Sequence, residues 1–172
     1  MKNHFTFFKL SPAFNIDTVV LKQNYRAIQS ESHPDRFVSA TPAEKLQSMQ
    51  LATLANEAYQ ILKKPSSRAQ YILQLQGIDA TQETNTSMPA DFLMQQMEWR
   101  EALEDLKAEK NIDGLESLLD EMRQEAQSLT GELSTSIDEK NDLVAATDTT
   151  RKLIFIDKVC ADIIKAIEWL ES

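Results

Sequence analysis

The chain has 172 residues, 42% of them hydrophobic, and a formal net charge of −9. Three glycines and five prolines leave little material for strands and tight turns, so helix is the expected secondary structure. The single cysteine, Cys160, excludes an internal disulfide and any site with two cysteine ligands. His4 and His33 lack the spacing of a zinc or haem site. We expect one or two small domains, with no metal and no other cofactor.

The charge is unevenly distributed along the chain. Residues 1–77 hold nine Lys/Arg and five Asp/Glu, whereas the remainder holds nine basic and 22 acidic residues. A split of this kind indicates two surfaces with different partners. No basic cluster with interleaved aromatics indicates nucleic-acid binding. No apolar run approaches the roughly 20 residues that cross a membrane, and no signal segment opens the chain. We therefore expect a cytoplasmic protein that binds neither nucleic acid nor a membrane.

The first elements of the chain are an apolar segment and a long helix. Residues 5–10 contain three phenylalanines and fit either a short helix or a strand. Asp17 is expected to cap the following helix by accepting from the free amides of its first turn. Leu21, Tyr25 and Ile28 fall at i, i+4 and i+7, which predicts one buried helix face.

This helix runs into His33-Pro34-Asp35. Proline lacks a backbone donor and disfavours helical geometry in the residue before it, so we expect the helix to end at His33. The three side chains then lie on a bend. As a bare tripeptide the motif is weak evidence of a functional site, because the turn of an ordinary helical hairpin can contain it by chance.

A second long helix is predicted over residues 43–62. Thr41 is its cap, Pro42 occupies the first helical position, and Glu44 can complete a capping box. Pro65 stops this helix, and Ser66 or Ser67 can cap a final short helix that ends at Gly77. The predicted buried stripe of the second helix is Leu51, Leu54, Ala55, Ala58, Tyr59 and Leu62.

Four blocks in register resemble the J-domain, the module by which co-chaperones drive the ATPase of DnaK-type chaperones. They are Tyr25-Arg26, His33-Pro34-Asp35, residues 56–62 (Asn-Glu-Ala-Tyr-Gln-Ile-Leu) and residues 65–71 (Pro-Ser-Ser-Arg-Ala-Gln-Tyr). The resemblance implies a J-domain over residues 1–77, an antiparallel helical hairpin with short flanking helices. It also implies that the ATPase contact is formed by His33, Pro34, Asp35, Lys22, Tyr25, Arg26 and Arg36.

The residues just before the His-Pro-Asp motif depart from the J-domain pattern. The basic residues that usually precede the His-Pro-Asp are replaced by Gln29-Ser30-Glu31-Ser32. Electrostatic contact with the ATPase would therefore depend on Lys22, Arg26 and Arg36.

The second half of the chain predicts a linker over residues 78–90 and three further helices within residues 91–172. Apolar residues spaced three and four apart give each helix one buried stripe, which favours a three-helix bundle. Cys160 lies in the last stripe and is expected to be an inert core residue. The three stripes are Phe92, Trp99, Leu103 and Leu106; Leu115, Leu118, Met122, Ala126, Leu129 and Leu133; and Leu153, Ile156, Cys160, Ile163, Ile167 and Leu170.

The first of these helices has a second apolar face. At about 100° per residue, Leu93, Met94 and Met97 point away from the stripe that contains Phe92 and Trp99. Phe155 likewise points away from the stripe of the last helix. Scattered exposed apolar residues are normal, and these could also pack against the N-terminal domain. A cluster of Leu, Met and Phe ringed by carboxylates is also typical of a protein-docking surface. The predicted docking set, which the family resemblance given next assigns to scaffold binding, is Leu93, Met94, Met97, Glu98, Glu101, Asp105 and Phe155.

The whole chain is similar to the HscB family, the dedicated co-chaperones of iron–sulfur cluster biogenesis. The blocks Phe92-Leu93-Met94 and Arg151-Lys152-Leu153-x-Phe155 carry the resemblance in the second half. It implies two partners, an HscA-like DnaK-type ATPase and an IscU-like cluster scaffold. Eukaryotic members of the family often have a cysteine-bearing N-terminal extension. Because Met1 here runs almost directly into the phenylalanine-rich segment, we expect a bacterial type of HscB protein.

Two other classes of function remain as alternatives. A hydrolase could use His33 and Asp35 as base and orienting group, but the sequence has no nucleophile motif, phosphate loop or metal-ligand set, so we do not expect an enzyme. A general co-chaperone for unfolded clients would usually carry Gly/Phe-rich and cysteine-rich zinc regions, which this sequence lacks.

Overall fold

The computed structural model describes residues 2–82 and 88–172 and has two compact units, Met1–Ile72 and Leu73–Ser172. The secondary structure in the described ranges is helical, which confirms the all-α fold class. Residues 83–87 of the predicted linker lie outside the described residues. None of the helices in the two described ranges is long and apolar enough to cross a membrane.

The first unit is built on two long antiparallel helices. Leu21 shares a core cluster with Leu62, and Tyr25 stacks on Tyr59, so residue numbers rise along one helix as they fall along the other. The elements are α1 (His4–Phe7), α2 (Thr18–Glu31), a 3₁₀ turn (Pro34–Phe37), α3 (Pro42–Lys63) and α4 (Pro65–Leu75), which extends past the unit boundary.

The predicted starts of α2 and α3 are confirmed by their caps. Asp17 accepts hydrogen bonds from the amides of Val19 and Val20, at 3.0 and 3.2 Å. Thr41 accepts from the amide of Glu44 at 3.2 Å, with Pro42 at the first helical position. These bonds satisfy amides that have no partner inside the helix.

One predicted helix end and one predicted helix start were wrong. Helix α2 ends at Glu31 rather than His33: Ser32 is its C-cap, its amide and hydroxyl both donate to the Ile28 carbonyl at 3.0 and 2.8 Å, and His33 before Pro34 is extended. Neither Ser66 nor Ser67 is the cap of α4, which begins at Pro65. The Ser67 hydroxyl instead donates to the Ile61 carbonyl at 2.6 Å, because carbonyls at the end of α3 have no helical partner.

The core of this unit is made from α1, α2 and α3. Phe5 and Phe8 are fully buried against Leu21, Ala58 and Leu62. Of the two forms expected for the opening segment, the structure has the short helix and not the strand. One member of the predicted α3 stripe is misplaced: Leu54 is exposed.

Arg68 is a buried cation that joins three segments of the first unit. Its Nε donates to the Phe14 carbonyl at 2.6 Å and its Nη1 to the Leu62 carbonyl at 2.8 Å. The guanidinium also lies 4.8 Å from the centroid of the Phe14 ring. The arginine of the Pro-x-x-Arg-x-x-Tyr block is therefore a structural residue.

Replacing Arg68 with alanine should destabilise the first unit. The change removes two buried hydrogen bonds and the contact with the Phe14 ring, which we expect to lower the free energy of unfolding by about 2–4 kcal/mol. Arg68→Lys should not restore the stability, because a single ammonium group cannot donate to both carbonyls as the planar guanidinium does. Urea unfolding of the wild type, Arg68→Ala and the exposed control Lys45→Ala measures the effect; equal midpoints for all three would refute the structural role.

The second unit is the helical bundle expected from the sequence. Helix α7 packs along α6, and α5 packs against both. Asn111 and Asp142 cap α6 and α7 by accepting from the amides of Gly114 and Ala145. The elements are α5 (Ala90–Ala108), α6 (Ile112–Leu133), a π-helical turn (Ser134–Glu139) and α7 (Leu143–Glu171).

The buried stripe of α7 differs from the predicted one after its midpoint. Leu153, Ile156 and Ile163 are buried as predicted, but Val159 is buried and Cys160 is only half-buried. Two successive steps of three residues, from 153 to 156 to 159, rotate the stripe relative to a strict heptad repeat.

The first part of the predicted linker is fixed to α7 within the second unit. Ala80 is buried, and its carbonyl accepts from Arg151 Nε at 2.7 Å. The Arg151 Nη2 atom is buried and has no partner among the described residues. Arg151, which the sequence placed in a family block, is thus a packing residue that holds Ala80 against α7.

Candidate functional site

The His33-Pro34-Asp35 corner is a rigid turn at the end of α2. His33 has an extended backbone (φ −61°, ψ 134°), the conformation that a following proline favours. Its Nδ1 accepts a hydrogen bond from the Asp35 amide at 3.2 Å. Nδ1 therefore carries no proton in this arrangement, and the ring proton resides on Nε2. Asp35 Oδ2 lies 3.6 Å from the same nitrogen.

Both ends of the corner are accessible to another protein. The side chains of His33 and Asp35 are 59% and 89% exposed. The corner thus presents one ring N–H donor and one carboxylate, held in position by the turn.

The basic residues assigned to the ATPase contact are also on the surface. Lys22 and Arg26 are exposed on α2, and Arg36 is exposed in the 3₁₀ turn. None of the three forms an ion pair with a residue in the ranges 2–82 and 88–172. Their charges are available to a partner.

Tyr25, in contrast, makes its contacts within the first unit. Its ring stacks on Tyr59 with centroids 4.1 Å apart, and its hydroxyl donates to Asn56 Oδ1 at 2.6 Å. Gln29 donates to the same hydroxyl at 2.8 Å. These contacts fix α2 against α3, and the part of Tyr25 in the ATPase contact stays a prediction.

The predicted apolar patch on α5 is exposed. Leu93, Met94 and Met97 are 46%, 64% and 71% exposed, on the face opposite the buried Phe92 and Trp99. The acidic residues predicted to surround the patch are exposed as well; they are Glu98, Glu101 and Asp105.

Phe155 lies in a different environment from the one expected. Its ring packs against Phe92 and Trp99, with centroids 5.9 and 6.3 Å apart, and is half-buried. The Arg100 guanidinium lies 5.5 Å from its centroid and pairs with Asp162 at 3.0 Å. Phe155 therefore belongs to an aromatic cluster at the flank of the buried stripe, and its membership of the patch stays a prediction.

Other reactive groups do not form a site. Burial is the main cause of a raised pKa for the Cys160 thiol, with Asp157 raising it further and Arg123 opposing them. A thiol with a raised pKa is a poor nucleophile. No group of three His, Cys, Asp or Glu side chains in the described part of the chain could hold a metal ion.

An exposed His-Pro-Asp turn between two antiparallel helices, followed by a helical second unit, defines a J-domain co-chaperone. A family model described as the HSCB C-terminal oligomerisation domain matches residues 88–164. A Burkholderia thailandensis protein named co-chaperone protein HscB homolog is 47% identical over 169 residues, covering 98% of this chain and 96% of that relative. The chain belongs to the HscB family of co-chaperones, which are not themselves enzymes.

Solved structures of the family share the fold. The chaperone HscB from Vibrio cholerae superposes with a TM-score of 0.83 at 33% identity, covering 98% of this chain and 99% of that one. The human co-chaperone protein HscB superposes with a TM-score of 0.86 at 27% identity, covering 95% of this chain and 81% of that one. The J-domain with a helical C-terminal domain is thereby confirmed.

Proposed function

We propose that this protein is an adaptor for iron–sulfur protein maturation. It binds an IscU-like scaffold, delivers it to an HscA-like DnaK-type chaperone and stimulates that chaperone's ATPase. The observation that carries the proposal is the exposed His33-Pro34-Asp35 turn in a chain 47% identical to an HscB homologue over nearly its full length. The bacterial relatives support a site of action in the bacterial cytoplasm.

The J-domain triggers hydrolysis through contacts rather than chemistry of its own. Pro34 holds the turn, so the His33 Nε2–H and the Asp35 carboxylate meet the ATPase without loss of conformational freedom. Lys22, Arg26 and Arg36 attract an acidic surface and raise the association rate.

The C-terminal unit holds the scaffold. Methionine side chains adapt to a partner's surface, and Leu93, Met94 and Met97 supply the apolar contact area. The ring of Glu98, Glu101 and Asp105 favours a basic partner surface and rejects an acidic one.

A steady-state ATPase assay tests the proposal. The full chain should raise the basal rate of the HscA-like chaperone, and the scaffold should raise it further at the same concentration. Suppression of aggregation of an unrelated denatured protein, without any effect of the scaffold, would instead support a general co-chaperone.

A further inference from the structure

A groove of about 690 Å³ lies between the end of α5 and the last turns of α7, within the second unit. We call it the C-terminal groove. Trp169 stands at its edge with 72% of its surface exposed. An exposed apolar residue needs no function by itself, but this indole borders a concavity that a partner's side chain can enter. The apolar residues that line the groove are Ala108, Ala166, Trp169 and Leu170.

The charged residues of the C-terminal groove are two acids and two bases, most of them paired within the chain. Lys107 Nζ lies 3.5 Å from Glu104 Oε1, and Arg100 Nη1 lies 3.0 Å from Asp162 Oδ2. Lys165 forms no ion pair with a residue in the ranges 2–82 and 88–172. Because the lining charges sum to zero, burial of the apolar floor is the main attraction that the groove offers a partner.

The C-terminal groove continues the apolar patch of α5, which consists of Leu93, Met94 and Met97. Glu104 follows Leu93 by eleven residues and Met97 by seven, so it lies within about 20° of each around the helix axis. At about 1.5 Å per residue, Leu93 and Ala108 lie roughly 22 Å apart along α5. A partner that buries about 800 Å² on each side can cover both.

The α7 wall of the groove shares a face with Phe155. Asp162 and Trp169 follow Phe155 by seven and 14 residues, which is about 20° and 40° around α7. Arg100 of α5 joins the two helices here, since its guanidinium lies 5.5 Å from the centroid of the Phe155 ring and pairs with Asp162. One surface of the second unit therefore runs from the α5 patch past Arg100 to Trp169.

The charge of the chain disfavours a second copy as the occupant of the groove. Residues 78–172 hold 22 acidic and nine basic residues, so two such units repel each other. A basic partner is attracted instead, and this is the kind of partner that the exposed Glu98, Glu101 and Asp105 favour.

We infer that the C-terminal groove is a second anchor point for the scaffold, which inserts an apolar side chain beside Trp169. Tryptophan is enriched among the residues that contribute most to protein–protein binding. The inference rests on the proposed function and adds Trp169 of α7 to the scaffold contact.

The test is a calorimetric titration of the full chain with the IscU-like scaffold. Trp169→Ala should lower the affinity about tenfold or more, because the indole loses its contact area in the complex. Trp169→Phe should lose less, since it retains an aromatic ring. Both variants should unfold at the urea midpoint of the wild type, because Trp169 is exposed in the free chain.

Tryptophan fluorescence reports on the same contact directly. The chain has two tryptophans, and the other one, Trp99, is only 5% exposed. The difference in emission between the wild type and Trp169→Phe isolates the signal of Trp169. Acrylamide should quench this signal in the free chain and quench it several-fold less in the scaffold complex.

The matched control is Ile164→Ala, which truncates an exposed apolar residue of α7 about 140° around the helix from Trp169. It should keep the scaffold affinity within about twofold of the wild type. Wild-type affinity in Trp169→Ala, with binding still lost when the α5 patch is truncated to alanine, would overturn the inference and leave the proposed function standing.

Sedimentation equilibrium of the full chain without scaffold tests the rival occupant. We expect a monomer for the wild type and for Trp169→Ala. A wild-type dimer that Trp169→Ala dissociates would assign the groove to a second copy and overturn the inference. No scaffold binding by the wild type would overturn both the inference and the proposed function.

Discussion

Replacing His33 with glutamine should abolish stimulation of the chaperone ATPase while scaffold binding remains unchanged. The imidazole accepts from the Asp35 amide at Nδ1, and its side chain is 59% exposed. Glutamine has more rotatable bonds and loses this fixed donor, so the contact that triggers hydrolysis is no longer preorganised. We expect the maximal stimulation to fall at least about tenfold, equivalent to about 1.4 kcal/mol or more of barrier.

The control for this variant is Ser30→Ala, an exposed change one turn before the corner. It should stimulate as the wild type does. Both variants should bind the scaffold with wild-type affinity in calorimetry, because His33 lies in the other compact unit from the α5 patch. Full stimulation by His33→Gln would show that the corner is not the trigger.

Truncating the α5 patch should have the opposite effect. Alanine at Leu93, Met94 and Met97 removes most of the apolar contact, and we expect scaffold affinity to fall about 100-fold or more, since central apolar residues each contribute on the order of 1–2 kcal/mol. The intrinsic stimulation of the ATPase should persist, because the J-domain is unchanged. Calorimetric titration with the scaffold measures the loss.

The matched control truncates exposed apolar residues elsewhere in the same unit, Val144 and Ile164 on α7. It should keep wild-type affinity. Phe155 is left out of the triple variant because it packs against Phe92 and Trp99, so its removal would lower stability as well as binding. Unaltered affinity in the patch variant would rule out this surface as the scaffold site.

Helix starts were predictable because the signals are local. Asp17 and Thr41 lie directly before the amides they cap, and Pro42 marks the first turn in the sequence itself. The exposure of Leu93, Met94 and Met97 also followed from helical periodicity, because their angular distance from Phe92 and Trp99 does not depend on distant residues.

Contacts between helices were not predictable in the same way. Leu54 has the spacing of a buried residue but is exposed, and Phe155 contacts Phe92 across two helices that are separate in sequence. Lys22 of α2 and Lys63 of α3 line the same concavity, although they are 41 positions apart in the sequence. Such pairs depend on how helices are rotated against each other, which a periodic pattern does not specify.

The central claim is that one molecule must hold the scaffold and trigger the chaperone at the same time. Mixing the His33→Gln variant with the α5 patch variant tests it most directly, since each lacks one of the two functions. We predict that the mixture, with the scaffold present, gives no higher ATPase rate than the patch variant alone. A mixture that restores the wild-type rate would contradict the account, because the two functions would then work on separate molecules.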